Sequence, residues 1–400
     1  MDHSIFLYLG LIVLLARVIG DTLARFGYPS VIGEILVGVI LGQSVLGLVK
    51  PNEVIKILAE IGVVLLLFQV GMEANIKQLR MVGVNALIVA TVGAIMPIIL
   101  SFPICHWLLG MNTITSLFIG GTLAATSIGI TVRVLKDLGR MKDNFAQVVL
   151  GAAVIDDIFG VIALAALAQL SSRLSFQVDA IATLVGYILT FFILAPLVAQ
   201  IMTKFVEVLS EKLENLDFIP AAVISVVFIF SFLAYKFGSP EILGAFIVGL
   251  ALSRGFNIPY LKFLSTKKQT AEKVEHSILP LIWLFTPVFF VFIGLQVNLK
   301  AINFGSYEFW VLSFVIGLVA IVSKVIAGFF VNVSFREKLM IGFSMLPRGE
   351  VGLIFAEFGR QAKIFNDLLY AVIIFVVLIT TFIAPFALRQ ISKIYYSNNQ

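Results

Sequence analysis

The sequence predicts an all-α, polytopic membrane protein of about 13 transmembrane helices, arranged as inverted repeats with two crossed discontinuous helices. Three observations predict it. Of 400 residues, 60% are hydrophobic and 13% charged, where soluble domains run about half apolar and a quarter charged; mean hydropathy is +1.07. The apolar residues form long continuous runs, not the alternation of an outer-membrane barrel. Certain segments also recur at a fixed offset. Together these exclude a soluble enzyme, a disordered chain and a disulfide scaffold. Cys105 is the only cysteine, and His3, His106 and His276 lack metal-ligand spacing. The net charge of +5 reads as cytoplasmic loops, with no nucleic-acid partner expected.

Apolar runs between charged or turn-rich breaks give thirteen spans: 4–22, 29–48, 54–74, 82–109, 113–135, 145–171, 177–203, 217–236, 240–254, 277–298, 306–331, 338–360 and 366–390. The first resembles a signal peptide in length. Asp2 replaces the usual basic start and no small-residue cleavage site follows Arg17, so an uncleaved span is expected. An odd number of spans places the termini on opposite sides. Eighteen of the 28 basic residues fall on the side of the C-terminus and seven on the other, with Arg17, Lys324 and Arg348 inside spans. The positive-inside rule then puts the N-terminus outside and the C-terminus in the cytoplasm.

Pro29, Gly33 and Gly38 have the spacing of Pro240, Gly244 and Gly249. The segment 71–77, Gly-Met-Glu-Ala-Asn-Ile-Lys, resembles 294–300, Gly-Leu-Gln-Val-Asn-Leu-Lys, at an offset of 223 that also carries Ser127 onto Glu350 and Gly129 onto Gly352. Spans seven apart run in opposite directions, so the copies are inverted. Inverted repeats mark secondary transporters, whose site lies near mid-membrane where the repeats meet.

Ionisable groups at that depth cost roughly 2.5–3.5 kcal/mol each on insertion scales and point to function. Asp156 and Asp157 sit in the sixth span among glycine and apolar residues. Adjacent helical positions lie about 100° apart, so the two carboxylates are expected to meet different partners. Lys324 lies deep in the eleventh span and calls for a buried carboxylate; the alternative is a lysine snorkelling to the headgroups. Spans five and twelve are interrupted, by Thr126-Ser127 with Gly129 and by Pro347-Arg348-Gly349-Glu350. Proline removes a backbone donor and glycine tolerates unwinding. Crossed half-helices would bring opposite dipole ends together, with oxygens from Thr126 and Ser127 and compensation by Arg348 and Glu350. The plainer alternatives are a local Arg348–Glu350 ion pair and hydroxyls bonding back to their own helix.

The Asp156-Asp157 pair, the Thr126-Ser127 break, Lys324 and the run Pro347 to Leu353 together resemble bacterial sodium/proton antiporters of the monovalent cation:proton antiporter-2 family, over essentially the whole chain. The resemblance implies that Asp157 binds the ion and that Asp156 pairs with Lys324. It also implies thirteen helices, a homodimer, and a core moving against a dimerisation scaffold. Spans in 1–53 and 172–254 are expected to form scaffold and linker, those in 54–171 and 277–390 the core. Glutathione-gated potassium efflux systems are similar too, but typically carry Gln-Asp at the pair and append a nucleotide-binding domain that is not expected here.

The expected function is therefore electrogenic exchange of Na⁺ or Li⁺ for H⁺ across a bacterial inner membrane, serving pH homeostasis, with Asp157 as the Na⁺ ligand. The alternative is K⁺/H⁺ exchange or glutathione-gated-type efflux. No cofactor and no enzyme activity are expected; lipid is the surrounding partner. A channel would favour a ring of groups from several subunits, whereas here the polar groups cluster within one chain.

Overall fold

Membrane helices form where apolar runs leave the backbone no partner but itself. A computed structural model describes residues 4–26, 28–73, 76–171, 178–213, 218–253 and 268–397. Its helices are α1 (Ser4–Arg25), α2 (Ser30–Leu41), α3 (Glu53–Glu73), α4 (Ile76–Pro103), α5 (Thr113–Ala124), α6 (Ile128–Asp137), α7 (Asn144–Ser171), α8 (Val178–Leu213), α9 (Phe218–Lys236), α10 (Glu241–Leu252), α11 (Lys268–Leu295), α12 (Tyr307–Ala327), α13 (Phe335–Ser344), α14 (Glu350–Gln361) and α15 (Asp367–Ser397). Among the described residues there is no strand. Each of the thirteen expected spans has a helical counterpart, spans five and twelve as the pairs α5–α6 and α13–α14.

Among the described residues, ten segments are long and apolar enough to cross a membrane, counting α5–α6 as one. Helices α2 and α10 have 12 residues each, about 18 Å at 1.5 Å per residue, which is shorter than a hydrocarbon core of about 30 Å. Span two was expected to run to residue 48. The helix stops at Leu41 instead, because a turn follows in which Gly47 has φ +65°. The Ser44 hydroxyl secures that turn, donating to the Val297 carbonyl at 2.7 Å and accepting from the Leu299 N–H at 3.0 Å. Residues 74–75 of the repeated segment, and the basic residues within 254–267, lie outside the described residues.

The repeat is visible in helix boundaries and in packing. Helices α2 and α10 are equally long and each follows a proline, Pro29 or Pro240. Helices α7 and α15 begin at Asn144 and Asp367, the offset of 223 read from the sequence. A Cβ on Gly38 would lie 2.8 Å from the Gly294 Cα, and one on Gly71 would lie 3.0 Å from the Gly249 Cα. The repeat maps Gly38 onto Gly249 and Gly71 onto Gly294. The same backbone-to-backbone contact is thus built twice, each time between one copy and the other, and small residues are what permit it.

Contacts divide the described residues into two compact units. One comprises 1–52, 82–177 and 290–400, and so holds α1, α2, most of α4, α5 to α7 and α12 to α15. Its core is aromatic and aliphatic: Phe118, Ile316, Phe309, Phe355 and Val372 are fully or almost fully buried, and Phe309 meets Phe375 edge-on at 5.3 Å. The other comprises 53–81 and 178–289, with α3 and α10 joined at Gly71 and Gly249. Helix α3 falls with α8 to α10 because its glycine face is matched to that of α10, while α1 and α2 fall with α4 to α7.

Candidate ion site at the crossing of two broken helices

Helix α5 is capped by Asn112, whose side chain accepts the Thr115 N–H at 2.8 Å. It stops at Ala124, and Ala125 turns extended (φ −63°, ψ 134°). The chain re-enters a helix at Ser127, the N-cap of α6, whose hydroxyl accepts the Ile130 N–H at 3.5 Å. Helix α13 opens on a capping box made by Ser334 and Glu337 and stops at Ser344. Pro347 lacks an N–H, and Gly349 (φ −128°, ψ −136°) precedes α14. A side chain on Gly349 would lie 2.5 Å from the Ser127 hydroxyl oxygen, so glycine lets the two breaks touch.

The interrupted segments satisfy one another's backbone. The Ser127 N–H donates to the Pro347 carbonyl at 2.8 Å. The Thr126 hydroxyl donates to the Met345 carbonyl at 3.3 Å and the Thr131 hydroxyl to the Ser344 carbonyl at 2.7 Å. Two cations close the C-terminal end of α5. Arg348 donates to the carbonyls of Leu123 and Ala125, the latter at 3.1 Å, and to Ala320 at 3.3 Å. Lys324 donates to the Ala124 carbonyl and, at 2.7 Å, to the Thr126 hydroxyl. The carbonyl end of a helix carries about half a negative charge, which these cations offset.

Asp156 and Asp157 on α7 are at most 4% exposed. Asp156 Oδ2 lies 3.4 Å from Lys324 Nζ, while its Oδ1 has no hydrogen-bond partner among the described residues. Asp157, about 100° further round the helix, cannot share that direction. The structure thus brings together Thr126, Asp156, Lys324 and Arg348, with Ser127 contributing its N–H to the opposite break. Lys324 is fully buried and does not snorkel. The guanidinium of Arg348 donates to backbone carbonyls of Leu123, Ala125 and Ala320. Glu350 opens α14, and its side chain lies outside the described residues.

Sequence reasoning missed three features. Thr131 was visible within the broken motif but not singled out. Thr381 on α15 bonds the backbone of Arg348, and nothing local announces it. Glu34, 1% exposed within α2, forms a second polar cluster with Arg133 and Asp137 of α6; an acid in an apolar span was the available signal.

Broken helices from two inverted copies, crossed beside buried carboxylates and a buried lysine, are the architecture of secondary transporters. The chain belongs to the sodium/hydrogen exchanger family, whose transmembrane region matches residues 10–393. It is 36% identical to the high-affinity Na(+)/H(+) antiporter NhaS3 of Synechocystis sp., over 80% of this chain and 68% of that protein. It is 31% identical to a Na(+)/H(+) antiporter of Enterococcus hirae, over 97% and 98% of the two chains. It is 32% identical to the Na(+)/H(+)-K(+) antiporter GerN of Bacillus cereus, over 96% and 95%. Among solved structures, the sodium proton antiporter MjNhaP1 of Methanocaldococcus jannaschii shares the fold, with a TM-score of 0.66 at 17% identity over 96% of this chain and 95% of that one.

Proposed function

We propose that this multi-pass membrane protein exchanges Na⁺ for H⁺, using Asp157 as the carboxylate for which cation and proton compete. The observation that carries this reading is the crossing itself: buried carboxylates on α7 beside breaks whose dipole ends are already compensated by Lys324 and Arg348. Carboxylate, hydroxyl and carbonyl oxygens are hard ligands suited to an alkali cation. On this reading, Thr126 and Ser127 contribute oxygens once Lys324 shifts, supported by the bond from Lys324 to the Thr126 hydroxyl. Li⁺ fits the same donors.

Coupling follows from charge. A carboxylate neutralised by either Na⁺ or H⁺ can change sides at lower cost than a bare charge. Lys324 serves as the second proton carrier if Na⁺ opens its pairing with Asp156, giving two protons per sodium and an electrogenic cycle. The body that moves is the set of helices carrying the crossing, α4 to α7 and α12 to α15, in a homodimer of a bacterial inner membrane, with the N-terminus outside and the C-terminus in the cytoplasm. Such exchange serves pH homeostasis. K⁺/H⁺ exchange is the second reading, favoured by the name of the Bacillus cereus relative.

The test is ion-induced dequenching of a pH dye in proteoliposomes. Na⁺ and Li⁺ are expected to drive proton movement, and a response to K⁺ alone would overturn the sodium reading. A short bifunctional cross-link between cysteines replacing Ser30 on α2 and Asp137 on α6, in a Cys105→Ser background, is expected to stop exchange. Full activity of the cross-linked protein would mean either that α2 moves with α6 or that gating is local around a fixed site, and would overturn a body moving against α2.

A further inference from the structure

The segment between α13 and α14 is buried, and each buried backbone polar group needs a partner. Most of its partners come from the other side of the crossing: Thr131 for Ser344, Thr126 for Met345 and Ser127 for Pro347. Arg348 is the exception. Its N–H donates to Thr381 Oγ1 at 3.1 Å, and that hydroxyl donates back to the Arg348 carbonyl at 2.8 Å. One hydroxyl spends its donor and an acceptor site on a single residue. Thr381 is itself 3% exposed. The connection runs on, since the Arg348 guanidinium holds the Leu123 and Ala125 carbonyls at the end of α5.

The repeat makes this position informative. The offset that aligns α7 with α15 sets Thr380 against Asp157 and Thr381 against Ile158. The Thr380 hydroxyl bonds its own helix, at the carbonyls of Val376 (2.8 Å) and Val377 (3.0 Å). Where the first copy carries the carboxylate that meets the ion, the second carries hydroxyls committed to backbone, and one of them reaches the crossing.

We propose that Thr381 is a positioning residue for exchange: by clamping the backbone of Arg348 to α15, it fixes where the guanidinium ends and hence the electrostatic field at the α7 carboxylates. The proposal rests on the exchange reading above. Without the hydroxyl, a buried N–H and a buried carbonyl lose their partners, and the segment shifts to recover them, taking the guanidinium with it.

The test uses Thr381→Val, nearly isosteric without the hydroxyl, and Thr381→Ser, which keeps it, both in proteoliposomes beside the wild type. Thr381→Val is expected to raise the apparent KM for Na⁺ about tenfold and to displace the pH profile of exchange, and Thr381→Ser to restore both. In an Arg348→Gln background, Thr381→Val is expected to add no further change. A Thr381→Val protein with lower thermal stability but unchanged KM and pH profile would reduce Thr381 to a structural role and overturn the proposal, as would additivity with Arg348→Gln. Should Thr381→Val not insert, Thr381→Cys, close in size with a weak donor, is read in the same way. Lack of Na⁺-driven proton movement in the wild type would sink the exchange reading; wild-type exchange with an unshifted Thr381→Val sinks only this one.

Discussion

Lys324 and Arg133 are both cations inside apolar sequence, and they end on different kinds of partner. Arg133 lies 3.3 Å from Glu34 and 3.2 Å from Asp137, and it also donates to the Ser30 hydroxyl at 2.8 Å. Asp137 completes that cluster by accepting from the Ser30 N–H and hydroxyl, both at 2.8 Å. Two fixed carboxylates thus surround one guanidinium. At the crossing the balance is inverted, because Lys324 and Arg348 bind chiefly carbonyls and a hydroxyl. Lys324 is nearer Thr126, at 2.7 Å, than Asp156, at 3.4 Å. Helix-end carbonyls cannot titrate or leave, so they hold the cations in place while the carboxylate pairing stays loose. On the exchange reading proposed above, the difference separates the two clusters: a guanidinium flanked by two carboxylates resists an incoming cation, whereas a lysine held mainly by a carbonyl and a hydroxyl leaves a carboxylate to meet one.

The largest expected effect breaks the crossing side of that comparison. Asp157→Asn keeps the size of the side chain and removes its titratable charge. It is expected to abolish Na⁺-driven proton movement while the protein still inserts and keeps its thermal transition. Retained exchange in Asp157→Asn vesicles would place the ion site elsewhere.

A second prediction measures how loose the pair is. Removing one partner of a buried pair costs about 3–5 kcal/mol in soluble proteins, because the other charge is left uncompensated. Asp156→Asn and Lys324→Ala are each expected to lower thermal stability, with Asp156→Asn the milder of the two because Lys324 keeps Thr126 and the Ala124 carbonyl. The double variant is expected to lose less than the sum. Strict additivity in this cycle would argue against direct pairing.

The crossing was largely legible in the sequence because its causes are local. Pro347 and Gly349 break a helix wherever they stand, and charges such as Asp156 and Lys324 are conspicuous in apolar runs. The repeat was legible because glycine spacing encodes close helix approach, as at Gly38 with Gly294. What escaped depends on pairing across the chain. The bond from Thr381 to Arg348 joins positions 33 apart, and threonines in apolar helices usually bond back to their own backbone, as Thr122 and Thr380 do. The Glu34–Arg133 pair spans 99 positions, and Arg133 looked like an ordinary basic residue at a span end. The end of α2 was overestimated because hydropathy continues through the turn that stops it.

The smallest expected effect sharpens the other side of the comparison. Asp137 ends α6 with its side chain 21% exposed, so water shares its solvation. Asp137→Asn keeps an oxygen for the Ser30 N–H but sets an amide against the Arg133 guanidinium, losing the ionic contact. Glu34 still pairs with Arg133, so neither buried charge is stranded. The cost is expected to be about 1 kcal/mol, in the range of partly exposed ion pairs, read as a small fall in Tm. The apparent KM for Na⁺ is expected to stay at the wild-type value, because the proposed ion site is on α7 and not in this cluster. A large KM change in Asp137→Asn, with stability intact, would show that the two polar clusters are coupled and that the contrast between a closed and an exchangeable site does not hold.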